Sequence, residues 1–488
     1  MQNKQLLYDL FEAYYDCRKN KRNTINAINF ELNYESNIIK LWQDILNDRY
    51  EIGKSIAFIV EKPVKREIFA GDFRDRIIHH YVINKLNLYF EKYFIFDSYS
   101  CRVGKGTLFG IKRVEKFIRS CSQNYTKDCY VLKLDIQGFF MSINKDILYK
   151  KLKEFIFCSE GLQSFTTELI IGLVEKIIYN DPTKNCIIKG SSLDWQGLPK
   201  SKSLFFTNGN TGLPIGNLTS QIFANFYLDK LDKFIKQKLK IKYYGRYVDD
   251  MMLVHKDNEY LKYCKKEINL FLINELKLTL HPDKIYLQHY SKGVLFLGSY
   301  IKPYRNYLRN KTKGNIFQKI QVLNNVITEN KGKMNDNISQ NFRQTINSYL
   351  GLIKWNNSYK LRKKILLNQV LVYFLYYIQG NHPAGIFNHI CHITHCILLA
   401  AISWDFFTHL FTESGIAFSR ANFCSGVNQG INTFVSNSTF SAFISQLKVI
   451  TSQLISDSIR VFSNSFFIFI ASCCSLSNSH ALEKSIII

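Results

Sequence analysis

The chain has 488 residues, enough for roughly two to four domains around a sizeable core. Hydrophobic residues make up 46% and charged residues 21%, which excludes a disordered polymer. The formal charge of +25 calls for a polyanionic partner, most simply nucleic acid. Residues 381–488 carry Arg420, Lys448, Arg460 and Lys484 against Asp405, Glu413, Asp457 and Glu483, so the whole surplus lies in residues 1–380. Twelve scattered cysteines and a start without an apolar leader predict free thiols in a reducing cytoplasm. No clean run of about 18 apolar residues predicts a membrane span.

In residues 1–60, Leu6, Leu7, Leu10, Phe11 and Tyr14, and then Ile38, Ile39, Leu41, Trp42 and Ile45, recur at helical spacing and predict a helical extension. Next, Lys62, Lys65 and Arg66 precede a Gly turn, Arg74 and Arg76 follow it, and an apolar helix is predicted from Ile77. Guanidinium forks bind two phosphate oxygens at once, so Arg66 and Arg76 are candidates to hold a triphosphate. The competing reading is a surface salt-bridge network with Glu67, Asp72 and Asp75. His79 and His80 are adjacent and would point apart on a helix, which excludes a shared metal. The turn Gly104-Lys105-Gly106-Thr107 lacks the leading glycine of a nucleotide-cradling loop. As a basic turn opening a helix, it favours a nucleic-acid phosphate.

Tyr130, Val131, Leu132 and Leu134 read as a buried strand ending at Asp135. A helical segment and then an irregular loop around Asp194–Leu204 fill residues 150–210. Gly212, Pro214 and Gly216 predict a tight turn, with Asn217 to Ser220 capping a helix that runs to about Lys238. Tyr243, Tyr244, Tyr247 and Val248, then Met251 to Val254, predict two short strands with Asp249 and Asp250 at the tip of their hairpin. A solvated Asp-Asp turn is the plain alternative, and Asp135 in its matching setting outweighs it. One strand-borne and two hairpin-borne carboxylates can bind two hard cations about 4 Å apart, the apparatus of in-line phosphoryl transfer. The backbone carbonyl of Ile136 would complete such a shell.

Residues 257–277 predict an amphipathic helix, after which a loop offers Lys284 near the acids. A strand pair is predicted around Gly298, and residues 310–379 read as basic and helical, suited to gripping a duplex backbone. The tail from Asn381 is neutral and rich in Ser, Phe and Ile. His392 and Cys396 stand four apart on a possible helix face there, without the second pair that a tetrahedral zinc site needs.

In order and spacing over about residues 60–360, these motifs resemble the reverse transcriptase family. Tyr247-Val248-Asp249-Asp250 is similar to its YxDD signature, and Leu134-Asp135-Ile136-Gln137-Gly138-Phe139-Phe140 to its first catalytic block. The resemblance implies an α+β right-hand fold: fingers and an antiparallel-sheet palm over 61–300, and a helical thumb over 301–380. A C-terminal extension, read as helical, would follow over 381–488. It implies Asp135, Asp249 and Asp250 as the catalytic triad with two Mg²⁺ ions. It also implies Phe140 as a gate against the ribose 2′-hydroxyl, Arg66 and Arg76 as triphosphate holders, and Phe296 to Ser299 as the primer grip. Lys284 would give a proton to the leaving pyrophosphate, and the partners would be dNTPs, a template RNA and its RNA/DNA hybrid.

The cap block Ile215-Gly216-Asn217-Leu218-Thr219-Ser220-Gln221 departs from the retroviral form and resembles the enzymes of bacterial diversity-generating retroelements. Those copy a template repeat with errors opposite adenine, alongside a small basic accessory protein. The apolar Ile215 would remove a polar anchor for the nucleotide and loosen selection. The alternative is a bacterial reverse transcriptase of anti-phage defence, where extra C-terminal domains are common. A catalytically idle nucleic-acid binder is opposed by the intact acids. A group II intron maturase would need a basic DNA-binding region that the neutral tail lacks.

Overall fold

The computed structural model describes residues 2–19, 24–61, 64–162, 164–329, 336–354, 356 and 358–365; the tail, with its zinc reading at His392 and Cys396, lies outside them. The described residues form ten strands: β1 (Ile56–Val60), β2 (Arg66–Ala70), β3 (Tyr130–Leu134), β4 (Ile187–Ile188), β5 (Tyr243–Tyr247), β6 (Asp250–His255), β7 (Tyr286–His289), β8 (Val294–Phe296), β9 (Ser299–Lys302) and β10 (Arg305–Leu308). They make a four-stranded sheet ordered β5-β6-β3-β7 and two three-stranded sheets, β2-β1-β4 and β10-β9-β8. The four-stranded sheet is antiparallel throughout.

That sheet is covered on both faces, which is why its strands read as nearly continuous apolar runs. Val131, Met252 and Val254 pack with Val114, Phe117 and Ile118 of the helix Thr107–Cys121. The alternate residues Leu132, Leu134, Met251 and Leu253 join the main core, which includes Phe223, Phe226 and Leu231 of Leu218–Lys233 and Leu261, Ile268 and Leu272 of Asn258–Leu276. Each such burial contributes roughly 1.5–3 kcal/mol, so the end of the sheet is a rigid platform.

The described helices of the N-terminal stretch are built into the same core. Leu6, Leu10, Ala13 and Tyr14 of Gln2–Arg18 share it with Ile77, Ile78 and Tyr81 of Phe73–Tyr93. That second helix begins four residues before the expected Ile77, because Asp72 caps it by accepting from the Arg74 amide at 3.0 Å. Residues 1–315 and 349–359 form one compact unit. A second contains residues 316–348 and, among the described residues, 360–365; there Lys364 Nζ lies 5.4 Å from the Phe317 ring centre.

Candidate active site

The hairpin joining β5 to β6 pairs Tyr247 with Asp250, so its loop is only Val248 and Asp249. Val248 takes φ +54°, a left-handed conformation that costs a β-branched residue about 1–3 kcal/mol. Arg246 holds it there. This side chain is fully buried, and its Nη1 donates to the Val248 carbonyl at 2.9 Å. Its Nε and Nη2 grip Asp232, also fully buried, at 2.8 and 2.6 Å, and Nη1 and Nη2 reach Asn225 at 3.2 Å. Tyr244 donates its hydroxyl to Asp232 at 2.6 Å. On the neighbouring loop Tyr99 fills the space beside Gly245, where an added Cβ would collide with the Tyr99 hydroxyl.

The strand-borne acid reaches the same end of the sheet. Leu134 of β3 pairs with Met251 of β6, and one step further along that register lie Asp135 and Asp250. Asp135 is 7% exposed and bonds Lys284 Nζ at 3.1 Å; Asp250 pairs with Lys133 Nζ at 2.9 Å. Burial, followed by the charges of Asp135 and Asp250, pushes the Asp249 carboxyl up to about 7, with Lys284 opposing. Ile136 bridges Leu280 through its neighbours: the Asp135 carbonyl accepts from His281 N–H at 2.8 Å and Gln137 N–H donates to Thr279 at 3.0 Å. The carbonyl of Ile136 itself takes no part in these two bonds.

The three acids share an electrostatic site, but they do not converge as a ready ligand set. Among the described residues no three His, Cys, Asp or Glu side chains are grouped closely enough to hold one ion. Lys133 and Lys284 supply the positive charge that the expected cations would bring, drawing Asp250 and Asp135 toward themselves. The donors are nonetheless all oxygen and mutually repelling, which fits hard divalent cations.

The folded state keeps a proton on Asp249 that the unfolded chain releases near 3.8. Its contribution to stability is complete below that value and is lost as pH rises to about 7. In Mg²⁺-free buffer the melting temperature is expected to fall across this window, with Asp249→Asn flattening the fall and added Mg²⁺ raising the wild-type value most at pH 8. Identical pH profiles for the two proteins would contradict this electrostatic reading.

Arg66 opens β2, exposed; burial and then Cys101 push the Tyr247 phenol up, with Ser100 and the Arg66 charge opposing. Arg76 sits in the first turn of Phe73–Tyr93 with its Nε buried and without a partner among the described residues. The expected salt-bridge network is not what binds these two guanidiniums. Glu67 accepts from Trp195, Ser203 and Leu204; Asp75 from Tyr50 and Gly53; and Asp72 is the cap. Phe140 is half-buried in the short helix Phe139–Ser142, its ring 5.5 Å from that of Phe139.

In the cap block, the Ile215 carbonyl accepts from the Phe69 amide of β2 at 2.8 Å, and Gly216 lies against the Phe69 backbone. Asn217 does not cap with its side chain as expected; its Oδ1 accepts from Gly71 N–H at 3.1 Å, tying β2 to this helix. Gln221 is exposed and accepts from Cys101 Sγ at 2.9 Å. Sequence reasoning missed Arg246 and its clamp. The available signal was a lone charge inside an aromatic strand, with its counter-charge 14 residues earlier.

A family model described as reverse transcriptase (RNA-dependent DNA polymerase) matches residues 65–301. The COX1/OXI3 intron 2 protein of Saccharomyces cerevisiae is 21% identical over 302 residues, covering 49% of this chain and 32% of that protein. The chain therefore spans about a third of that relative's length. Among solved structures, apo telomerase from Candida tropicalis truncated from its C-terminal domain aligns at TM-score 0.39 and 13% identity, over 56% of this chain and 60% of that one. Telomerase from Candida albicans with a TWJ fragment of telomeric RNA aligns at TM-score 0.33 and 12% identity, over 73% and 66%. The intron 2 protein is a yeast protein, whereas the cap block suggested a bacterial retroelement enzyme. The antiparallel sheet with its acidic end is the palm of a right-hand polymerase fold, and residues 65–301 form a reverse transcriptase domain.

Proposed function

We propose that this chain is an RNA-directed DNA polymerase in which a primer 3′-hydroxyl attacks the α-phosphate of a dNTP and pyrophosphate leaves. The observation that carries this reading is the delivery of Asp135, Asp249 and Asp250 to one end of a rigid sheet, with Asp249 held near 7 by burial and its neighbours' charge. Two Mg²⁺ ions held by those carboxylates and the Ile136 carbonyl would supply activation of the attacking hydroxyl and neutralisation of the phosphate. Lys284, which bonds Asp135 at 3.1 Å, would on its release be the proton donor to the departing pyrophosphate. The exposed Arg66, and Arg76 with its Nε unpartnered among the described residues, would take the triphosphate oxygens. The test is dNTP incorporation on an RNA template by the wild type and by an Asp249 variant.

Phe140, five residues after Asp135, would exclude the 2′-hydroxyl. Phe140→Ala is expected to raise ribonucleotide use relative to dNTPs by about 10–100-fold in single-nucleotide incorporation. An unchanged ratio would remove the gate from Phe140.

The finer reading, error-prone copying of a template repeat in a bacterial diversity-generating retroelement, is supported by the Ile215-Gly216-Asn217 cap block. On that reading the enzyme works in the bacterial cytoplasm with a small basic accessory protein or a second copy of itself. Anti-phage cDNA synthesis is the alternative, and the intron 2 protein relative favours an intron RNA as the template. Sequencing nucleic acid copurified with wild type and Asp mutant separates them. Adenine-directed errors support diversification, repetitive or untemplated products support defence, and intron sequence supports the third.

A further inference from the structure

The helix Thr107–Cys121 is joined to β3 by residues 122–129, which double back on themselves. Gln123, Asn124 and Tyr125 take φ +50°, +59° and +68°, three successive left-handed residues. Ser122 holds them there. Its Oγ donates to the Ile118 carbonyl at 2.8 Å and accepts from the Tyr125 amide at 2.9 Å. Its carbonyl accepts from the Thr126 and Lys127 amides at 3.0 and 2.9 Å, and the Asn124 amide donates to the Arg119 carbonyl at 2.8 Å. From the other side, the Tyr290 hydroxyl donates to the Tyr125 carbonyl at 2.9 Å and the Tyr290 amide to the Cys129 carbonyl at 3.2 Å.

The doubled-back loop brings two free thiols together, Cys121 at the last residue of the helix and Cys129 at the entry to β3. Cys129 belongs to the cluster of Val114, Phe117 and Ile118, and Cys121 packs against it. Cys129 is fully buried, and its Sγ lies 4.0 Å from the Ile118 carbonyl, so the thiol faces the last turn of the helix. Cys121 is half-buried and open to solvent on one side, and the two thiols share a hydrogen bond. They are chemically unequal. That hydrogen bond holds the Cys121 thiol below the ordinary cysteine value, with burial opposing and the Lys256 charge helping. The same bond, and then burial, push the Cys129 thiol up. Burial also pushes up the thiols of Cys101, Cys186 and Cys264. An accessible thiol of raised acidity against a second, buried thiol suits attack by the first and resolution by the second.

We propose that Cys121 and Cys129 form a reversible oxidation site whose substrate is a peroxide. The Cys121 thiolate attacks one oxygen of hydrogen peroxide and the O–O bond breaks. The departing hydroxide takes up the proton that the thiol had released, and Cys121 is left as a sulfenic acid. The Cys129 sulfur then attacks the Cys121 sulfur; the S–O bond breaks, and the sulfenic hydroxyl leaves with the Cys129 proton as water. Two thiols and one peroxide thus give one disulfide and two waters, and exchange with a small-molecule thiol restores the pair. The bond ties the last turn of a helix covering one face of the four-stranded sheet to the residue before β3, the strand that leads to Asp135. Disulfides of reducing compartments are usually transient ones of this kind.

Hydrogen peroxide added in slight excess to the reduced full chain tests this. Trypsin cuts after Arg119, Lys127 and Lys133, so the bond is read by mass as peptides 120–127 and 128–133 joined together and released by dithiothreitol. Joining is expected about tenfold faster than oxidation of the exposed Cys101 and Cys158. The oxidised chain should melt about 5 °C higher, because the cross-link restricts the unfolded chain. Cys121→Ser should lose both the joined peptides and the shift. Cys129→Ala, which puts no polar atom into the core, should stop at the Cys121 sulfenic acid, trapped by dimedone. The proposal is overturned if the oxidised wild type yields no bond between Cys121 and Cys129, or if Cys121 pairs instead with another cysteine or a second chain. It is also overturned if Cys121→Ser keeps the melting shift, or if dimedone labels Cys121 no more in Cys129→Ala than in the wild type. None of these readouts involves nucleotide incorporation, so the polymerase reading and the oxidation site stand or fall separately.

Discussion

Replacing Asp249 and Asp250 together by alanine is expected to lower dNTP incorporation by about a thousandfold or more, while RNA/DNA duplex binding persists. The two residues sit at the tip and start of β6, level with Asp135 across the register. Losing charge stabilisation worth several kcal/mol at the reacting phosphate accounts for a loss of that size, since each 1.36 kcal/mol is tenfold in rate. Duplex binding draws on the +25 net charge elsewhere and on backbone contacts, which the double substitution does not remove. Removing two mutually repelling acids should also leave the fold at least as stable in Mg²⁺-free buffer. Unchanged incorporation would take the reaction away from this hairpin.

Arg246→Met is the second large effect. The substitution strands Asp232 in the core without its counter-charge and releases the Val248 carbonyl. Breaking such a pair typically costs about 3–5 kcal/mol, so a drop in melting temperature on the order of 10 °C is expected. Arg246→Met with Asp232→Leu should recover much of that stability, because a buried ion pair can be exchanged for apolar packing. It should not recover activity, since Val248 would still lack the donor that keeps it at φ +54°. Incorporation by the double variant within a few-fold of wild type, measured below both melting temperatures, would reduce Arg246 to a stability residue. A persistent loss of activity in a stable double variant assigns it the positioning of the hairpin tip.

The contrast between these residues explains what was legible in the chain. β3 and the β5–β6 hairpin could be read because both faces of their sheet are buried, leaving Asp135, Asp249 and Asp250 as isolated acids at the ends of apolar runs. The helix Phe73–Tyr93 was placed late because Arg74, Asp75 and Arg76 in its first turn look like loop, and only the Asp72 cap marks the true start. Asn217 looked like a helix cap and instead bonds Gly71, a partner 146 residues away that no local pattern reveals. Lys284 was legible as a loop lysine near the acids, whereas the choice of partner for it and for Lys133 comes from the fold. Lys133 turns the alternation of β3 into a partner for Asp250, and Lys284 reaches Asp135 from a loop 149 residues later. Glu67, read as a surface acid, is buried because the 192–206 loop folds over it, and nothing in its own neighbourhood foretells that.

The most direct measurement is anomalous scattering from crystals of the protein soaked in Mn²⁺ with primer–template and a non-hydrolysable dNTP. Two peaks about 4 Å apart are expected between the carboxylates of Asp135, Asp249 and Asp250, with Lys133 and Lys284 swung away from them. Peaks lying elsewhere, or full occupancy unaltered by Asp135→Asn, would show that these acids are not where the metals act.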